Sequence, residues 1–210
     1  MFTGIVQDLV TVQSVIEEGD LSRLALDLGN LTDGLKLGAS VAVNGTCLTV
    51  TRVEEGTAFF DVIMETLRTT NLHKVSSGDL VNVERSFQIG DEVGGHVVSG
   101  HVTGTAVLIE RRVEGNDYVL AFSLDDSWMR FVFHKGFIAL DGASLTVSSI
   151  DRERLCFEVS LIPETLQRTT LGRLELGESV NIEVDAQTVT TVETVERLFA
   201  DEKWRQQIFK

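Results

Sequence analysis

Two versions of one stretch decide the fold of this chain: Val43-Asn44-Gly45-Thr46-Cys47-Leu48-Thr49-Val50 and Leu140-Asp141-Gly142-Ala143-Ser144-Leu145-Thr146-Val147. Each version carries an Asn-Gly or Asp-Gly pair, then two intervening residues, and then the sequence Leu-Thr-Val. Asn-Gly and Asp-Gly accept the positive φ that tight hairpin turns require, and Leu-Thr-Val alternates apolar and polar residues as a strand does. The stretch therefore predicts two β-hairpins at equivalent places.

The repeat extends well beyond the two hairpins. Further blocks recur in the same order: Phe60-Asp61-Val62 as Phe157-Glu158-Val159, Glu65-Thr66-Leu67 as Glu164-Thr165-Leu166, and Gly78 to Glu84 as Gly177 to Glu183. Thr3-Gly4 has a weaker echo in Thr103-Gly104. A period near half the chain length is too long for a solenoid, so the sequence is interpreted as two tandem copies of one domain.

Each copy contains six or so short strands separated by turns, a pattern typical of a small barrel or sandwich. A closed barrel leaves no unpaired strand edge, which favours the barrel. We place the first domain at 1–86, a polar and glycine-rich linker at 87–95, the second domain at 96–186, and a helix with a tail at 187–210.

The tail has no counterpart in the first copy. From about Thr188, apolar residues recur at three- and four-residue spacing: Val189, Val192, Val195, Leu198 and Phe199. This pattern predicts an amphipathic helix of about four turns. Two roles stay open for the helix, either packing on its own barrel or joining copies of the chain.

Composition excludes several classes of function. A formal net charge of −14 argues against binding to nucleic acid or to an anionic membrane surface. Cys47 and Cys156 fall at non-equivalent points of the repeat, which does not favour a disulfide, and no metal-ligand spacing is present. The sequence shows neither a signal-peptide pattern nor an apolar run of about 20 residues, so a cytoplasmic location fits best.

Two nucleophile-capable side chains occupy the same place in the two copies. Cys47 and Ser144 both follow the turn by two residues. A small residue beside a tight turn usually serves packing alone, but the pairing of a thiol with a hydroxyl favours a functional site. Because a thiol ionises far more readily than a hydroxyl, two such sites suit a reaction that treats two bound molecules differently.

Other polar residues make the two copies chemically unequal. His96 and His101 lie in Gly94-Gly95-His96-Val97-Val98-Ser99-Gly100-His101, and a histidine can exchange protons near neutral pH or serve only as a hydrogen-bonded structural residue. The second copy thus combines His101 with Asp141 and Ser144, whereas the first copy has Asn44 and Cys47 and, at the place aligned with His101, Met1-Phe2 in place of a histidine. Spacing alone does not establish a triad. The remaining candidates are four threonines that line a site or merely belong to strands, and one nearby cation: Thr49, Thr66, Thr146, Thr165 and Lys135.

Taken together, these motifs resemble the riboflavin synthase family, the trimeric two-barrel class of lumazine-binding proteins. The resemblance extends from Met1 to about Arg197 and rests on five segments: Met1 to Val6, Asn44 to Val50, Gly94 to His101, Asp141 to Val147 and Pro163 to Leu166. Each segment alone is a weak signal, but the set is specific.

The resemblance implies an all-β fold of two tandem six-stranded antiparallel Greek-key barrels plus a C-terminal α-helix, assembled as a homotrimer. Each barrel would bind one 6,7-dimethyl-8-ribityllumazine. The implied reaction is a dismutation, in which one lumazine gives four carbons to the other and yields riboflavin and 5-amino-6-ribitylamino-2,4(1H,3H)-pyrimidinedione. No metal or organic cofactor is implied, and association with lumazine synthase stays open.

The resemblance also assigns residues. Ser144 and His101 would carry nucleophilic addition and proton transfer, supported by Asp141 and Thr146, while Cys47 would lie in the partner site. The implied substrate-binding residues are Gly4, Ser40, Thr49, Met64, Thr66, Lys135, Ile162 and Thr165. The working site would form between the first barrel of one chain and the second barrel of its neighbour. The alternative is a non-catalytic lumazine- or flavin-binding antenna protein, which the match of both hairpins to the enzyme pattern disfavours.

Overall fold

The structure, a computed structural model, describes residues 1–115, 117–202 and 204–205. Twelve strands form two closed antiparallel barrels. The first comprises β1 (Asp8–Glu18), β2 (Leu21–Asp27), β3 (Ser40–Val43), β4 (Thr46–Glu54), β5 (Thr57–Ile63) and β6 (Leu80–Arg85), in the spatial order β1-β2-β5-β4-β3-β6. The second comprises β7 (Gly104–Glu114), β8 (Asp117–Ser123), β9 (Phe137–Leu140), β10 (Ala143–Asp151), β11 (Cys156–Leu161) and β12 (Ser179–Val184), in the order β10-β11-β8-β7-β12-β9.

Short helices connect some of the strands, and one longer helix follows the second barrel. They are α1 (Met64–Thr69), α2 (Asp126–Met129), α3 (Pro163–Arg168) and α4 (Ala186–Ala200), with 3-10 turns at Gly29–Thr32, Asn71–Lys74 and Thr170–Gly172. The prediction of an all-β protein with two six-stranded Greek-key barrels and a C-terminal helix is confirmed. No helix among the described residues is long and apolar enough to span a membrane. The domain boundaries at 86, 95 and 186 remain our proposal.

Each barrel has its own apolar core, which is why the repeat gives two domains. The first core includes Val12, Leu26 and Phe60, and the second includes Leu108 and Phe122. A third, smaller cluster joins the barrels and contains Phe2, Ala42, Val98 and Ala139, with Cys47 packed against it. Val6 belongs to the second core, so the N-terminal segment of the chain extends from the first barrel onto the second.

The two predicted hairpin turns meet back to back between the barrels. Asn44 and Gly45 have φ of 44° and 75°, and Asp141 and Gly142 have φ of 44° and 82°, values that match a type I′ turn. A Cβ on Gly45 would lie only 2.6 Å from the backbone nitrogen of Gly142. Glycine is therefore required at these positions by the close approach of the two backbones as well as by φ.

Helix α4 begins where the Asp185 side chain accepts a hydrogen bond from the Thr188 backbone N–H at 2.9 Å. Val189 and Val192 pack against the second core, whereas Val195 is 45% exposed. The helix thus packs on its own barrel along its first half, and its role in oligomerisation stays a prediction. Lys203 and residues 206–210 of the predicted tail lie outside the described residues.

Candidate active site

Two chain segments cross between the barrels beside the hairpins. They pair at an antiparallel bridge, where the Phe2 N–H donates to the Val98 carbonyl at 2.8 Å and the Val98 N–H donates to the Phe2 carbonyl at 3.0 Å. Beyond the bridge, the Gly4 carbonyl accepts from the Ser144 N–H at 2.8 Å, and the Gly100 carbonyl accepts from the Cys47 N–H at 2.9 Å. The segment with Gly4 therefore extends from the first barrel and covers the hairpin of the second, and the segment with Gly100 extends from the second barrel and covers the hairpin of the first.

The two crossing glycines lie directly against the predicted nucleophiles. Gly4 has φ of +73° and Gly100 has φ of +81°. An added Cβ would lie 2.5 Å from the Ser144 Cβ at Gly4, and 2.6 Å from the Cys47 Cβ at Gly100. Any larger residue would displace the covering segment, so the sequence needs glycine at both places.

The crossing segments correct the predicted register of the repeat. Thr3 and Gly4 donate hydrogen bonds to the Glu84 side chain, and Ser99 and Gly100 donate to the Glu183 side chain in the same pattern. Thr3-Gly4 is therefore equivalent to Ser99-Gly100, and its predicted echo in Thr103-Gly104 is wrong. In the corrected register, the residue of the first copy that matches His101 is Ile5.

Beside the second hairpin, Ser144 is paired with a histidine. The Nδ1 atom of His96 lies 2.6 Å from the Ser144 Oγ, and the imidazole stacks on the Phe137 ring with centroids 5.1 Å apart. Burial lowers the pKa of His96, an effect that the negative charge of Asp185 partly opposes. A neutral imidazole can accept the hydroxyl proton, so this pair is suited to proton transfer.

Within the chain, His101 does not reach Ser144. It is exposed, and it directly follows Gly100, the residue that covers Cys47. His101 thus lies next to the first hairpin, because the segment that contains it crosses to the first barrel, whereas Ser144 lies on the second hairpin. The shared role of His101 and Ser144 that the resemblance implies stays a prediction.

Asp141 is buried, 2% exposed, in a polar network between the barrels. Its Oδ1 accepts hydrogen bonds from the Asn181 N–H at 2.7 Å and from the Asn71 side chain at 2.9 Å. Burial raises the pKa of Asp141 to about 7, although these hydrogen bonds act to lower it. The Asn82 side chain donates to the Asp141 carbonyl at 2.8 Å, and the Asn181 side chain donates to the Asn44 carbonyl at 2.8 Å.

The other predicted site residues lie on the strands and helices that follow each hairpin. Thr49 is exposed on β4 opposite the half-buried Ser40 of β3, and Thr146 is exposed on β10 opposite Phe137 of β9. Lys135 is exposed, and its backbone N–H donates to the Val147 carbonyl at 2.9 Å. The remaining members lie at the two short helices: Met64 and Thr66 in α1, Ile162 just before α3, and Thr165 in α3. Thr66 and Thr165 are at equivalent positions, whereas Met64 corresponds to Pro163 and Ile162 to Ile63.

We name the two sets of residues by their nucleophiles. The Cys47 face consists of Cys47, Thr49, Ser40 and the crossing residues Gly100 and His101. The Ser144 face consists of Ser144, Thr146, His96, Phe137 and the crossing residue Gly4. The two faces are equivalent by fold, but only the Ser144 face holds an imidazole hydrogen-bonded to its hydroxyl among the described residues. No group of three or more His, Cys, Asp and Glu in the described ranges is arranged to hold a metal ion.

Sequence reasoning missed several residues that organise the site. They are Glu84 and Glu183, which hold the crossing segments, and Asn71, Asn82 and Asn181, which join the barrels. A signal was available, because Asn82-Val83-Glu84 recurs as Asn181-Ile182-Glu183. Polar residues at alternate positions of a strand are usually predicted to face solvent, but here the crossing segments cover the glutamates and the opposite barrel covers the asparagines.

The fold and the paired faces define a class of double-barrel protein with two chemically unequal faces in each chain. The chain belongs to the lumazine binding domain family, whose domain matches residues 3–86 and again 99–185.

Relatives of the chain include proteins from bacteria and a yeast. Over 202 residues it is 47% identical to a protein of Escherichia coli (strain K12) named riboflavin synthase, covering 95% of this chain and 94% of the relative. It is 46% identical over 201 residues to the riboflavin synthase of Chlamydia pneumoniae, covering 95% and 98%. The riboflavin synthase of Meyerozyma guilliermondii is 39% identical over 195 residues, covering 88% and 82%.

Solved structures of LumP share the fold. LumP complexed with riboflavin has a TM-score of 0.80 at 24% identity, covering 88% of this chain and 100% of the other. LumP complexed with 6,7-dimethyl-8-(1'-D-ribityl) lumazine has a TM-score of 0.78 at 23% identity, covering 88% and 99%. At this level of identity the likeness supports the fold alone.

Proposed function

We propose that the chain is a riboflavin synthase, which converts two molecules of 6,7-dimethyl-8-ribityllumazine into riboflavin and 5-amino-6-ribitylamino-2,4(1H,3H)-pyrimidinedione. The observation that carries this proposal is the pair of faces, equivalent in fold but unequal in chemistry, in a chain whose relatives are riboflavin synthases. A dismutation needs two sites for the same molecule that assign it different roles, one as donor and one as acceptor of the four-carbon unit.

The reaction is balanced without a further reactant. The two products together contain every atom of the two lumazines, so four carbons move from one ring system to the other and no oxidant or reductant is consumed. Holding two ring systems in the reactive orientation supplies a large share of the rate, and acid–base catalysis supplies the proton transfers that remain.

The Ser144 face carries the proton transfer on one lumazine. The 2.6 Å contact between His96 and Ser144 lets the imidazole take the hydroxyl proton, and the lowered pKa of His96 keeps the imidazole neutral near pH 7. Thr146 is exposed beside Ser144 and Thr165 is half-buried in α3, so both offer hydroxyls to the ribityl chain. Lys135 adds a positive charge next to this strand, which suits an acidic lumazine.

The Cys47 face binds the second lumazine. Cys47 is half-buried beneath Gly100, Thr49 and Ser40 offer hydroxyls, and His101 is exposed on the covering segment. Met64 and Thr66 belong to this face by the repeat, as Ile162 and Thr165 belong to the Ser144 face. Asp141 acts through the turn: its side chain faces the network between the barrels, and it fixes the hairpin that presents Ser144.

We further infer a cytoplasmic homotrimer in which the Cys47 face of one chain meets the Ser144 face of its neighbour. Val195 and Phe199, 45% and 49% exposed on α4, support a helix contact between chains. Two disabled variants test the arrangement, Cys47→Ala with Thr66→Ala and His96→Ala with Ser144→Ala. Co-expression should restore part of the activity in mixed trimers, whereas no rescue in trimers shown to be mixed would place the site within one chain. Association with lumazine synthase is a separate question for co-purification.

The direct test of function is incubation of the purified protein with the lumazine alone. Riboflavin should appear, followed by its absorbance and fluorescence, with about half a molecule formed for each lumazine consumed, as expected for a complete two-site dismutation. Ser144→Ala is the matched control, because it removes the hydroxyl that His96 contacts and leaves the other face intact. Tight binding of the lumazine without riboflavin formation would move the chain to the antenna class.

A further inference from the structure

Glu84 and Glu183 are buried carboxylates at equivalent places near the ends of β6 and β12. They are 4% and 8% exposed, and their neighbours Val83 and Ile182 lie in the two barrel cores. Because strand side chains alternate, the glutamates face outward from their barrels and toward the crossing segments. A buried carboxylate is costly unless it is well hydrogen-bonded, so its presence in both copies calls for a physical reason.

Each carboxylate accepts the same three hydrogen bonds. Glu84 Oε1 accepts from the Thr3 N–H at 2.5 Å and the Thr3 hydroxyl at 2.8 Å, and Oε2 accepts from the Gly4 N–H at 3.0 Å. Glu183 Oε1 accepts from the Ser99 N–H at 2.7 Å and the Ser99 hydroxyl at 2.8 Å, and Oε2 accepts from the Gly100 N–H at 2.9 Å. All six partner groups are donors, so each set needs two acceptor oxygens, which a carboxyl side chain supplies and a primary amide does not.

We propose that Glu84 and Glu183 are positioning residues that act across the molecule. Glu84 belongs to the first barrel but fixes the segment that covers Ser144 in the second barrel. Glu183 belongs to the second barrel but fixes the segment that covers Cys47 in the first barrel. Each barrel thus anchors a part of the other barrel's face, and the two faces are interdependent within one chain.

The geometry explains why the anchor acts on the nucleophile. Gly4 and Gly100 are held at their N–H groups by the carboxylates, and their carbonyls accept the Ser144 and Cys47 N–H groups. Replacing a carboxylate with an amide places an NH₂ group where an acceptor is needed. The glycine N–H then loses its partner, and the covering segment loosens over the nucleophile of the opposite barrel.

Alkylation of Cys47 tests the proposal without reference to the reaction. The rate with iodoacetamide would be measured in the full-length protein and assigned by peptide mass mapping, with buried Cys156 as the internal reference. Loss of a charge-assisted hydrogen bond should raise the rate in Glu183→Gln by about tenfold. The matched Glu84→Gln variant should leave it within about twofold, because its contacts lie on the other face.

The reciprocal measurement uses Ser144→Cys in a Cys47→Ser background. Here Glu84→Gln should raise the alkylation rate of the introduced thiol by about tenfold, and Glu183→Gln should leave it within about twofold. If each glutamine changed the thiol of its own barrel, or changed both thiols equally, or changed neither, the proposal would be overturned.

Milder variants keep the test valid if a glutamine variant does not fold. Thr3→Val and Ser99→Ala each remove one hydroxyl donor and retain both backbone hydrogen bonds. Ser99→Ala should raise the alkylation rate of Cys47 by about threefold, and Thr3→Val should raise that of the thiol introduced at position 144 by about threefold. The effect of either glutamate on riboflavin formation rests on the proposed function. A wild-type chain that forms no riboflavin but shows the crossed alkylation pattern would contradict the proposed function and leave the positioning role intact.

Discussion

The substitution Asp141→Asn tests how a buried carboxyl group between the barrels makes stability depend on pH. Asp141 is hydrogen-bonded to Asn181 and Asn71, and burial raises the pKa of its carboxyl group from 3.8 to about 7. At the equivalent position the first barrel has Asn44, whose Oδ1 accepts the Asn82 N–H at 2.8 Å. An asparagine therefore fits this turn, and its oxygen can accept both hydrogen bonds that the Asp141 Oδ1 accepts. The amide NH₂ would then face the Thr170 hydroxyl, which donates to Oδ2 at 3.5 Å in the wild type and can accept instead.

The magnitude follows from the shift in pKa. Between pH 3.8 and about 7, the folded chain holds a proton on Asp141 that the unfolded chain has released. The free energy of unfolding then falls by about 1.4 kcal/mol per pH unit. The stabilisation is fully present below the unfolded pKa and is lost as the pH rises through the folded pKa. From pH 5 to pH 8 the wild type should lose about 3 kcal/mol relative to Asp141→Asn.

The measurement is urea unfolding of both proteins at pH 5, 6, 7 and 8, followed by tryptophan fluorescence. Subtracting one unfolding free energy from the other at each pH cancels the contribution of all other titrating groups, because both proteins share them. The matched control is Asn44→Asp, which places a second carboxyl group at the equivalent turn and should steepen the loss. A difference in unfolding free energy that stays constant across this range, within about 0.5 kcal/mol, would refute the assignment of a raised pKa to Asp141.

Three further expectations follow from the site and the tail. Gly45→Ala should destabilise the protein by about 3 kcal/mol in urea unfolding, because the new Cβ clashes with the backbone of the facing turn and because φ at this position is positive. A loss of unfolding free energy below about 1 kcal/mol would contradict the close approach. His96→Gln should lower kcat by about 100-fold and remove the acid limb of the pH–rate profile. In the wild type, the midpoint of that limb should lie below the ordinary pKa of histidine, because burial lowers the pKa of His96. An unchanged profile would exclude His96 as the base. Deleting the chain after Asp185 should yield smaller, folded species by light scattering, with a lower Tm because Val192 no longer packs on the second core; a variant that stays trimeric would exclude α4 as the trimer contact.

The sequence by itself determined the repeat, the barrels and the two hairpin turns. These features depend on local physics, since Asn-Gly and Asp-Gly select a positive φ and alternating residues select a strand. The same locality made Cys47 and Ser144 recognisable as equivalent positions, and it predicted α4 from its apolar spacing. The structure confirmed each of these elements of the fold.

Only the tertiary structure decided which residues meet at each hairpin. The segments that contain Gly4 and Gly100 cross to the opposite barrel, which brings His96 to Ser144 and places His101 beside the Cys47 face. Likewise, Glu84 and Asn82 alternate with core residues as solvent-facing strand residues do, yet both are buried. Asn82 is buried against the opposite barrel, and Glu84 is buried against the N-terminal crossing segment. Such contacts join residues 48 or more positions apart, and no local preference of the chain encodes them.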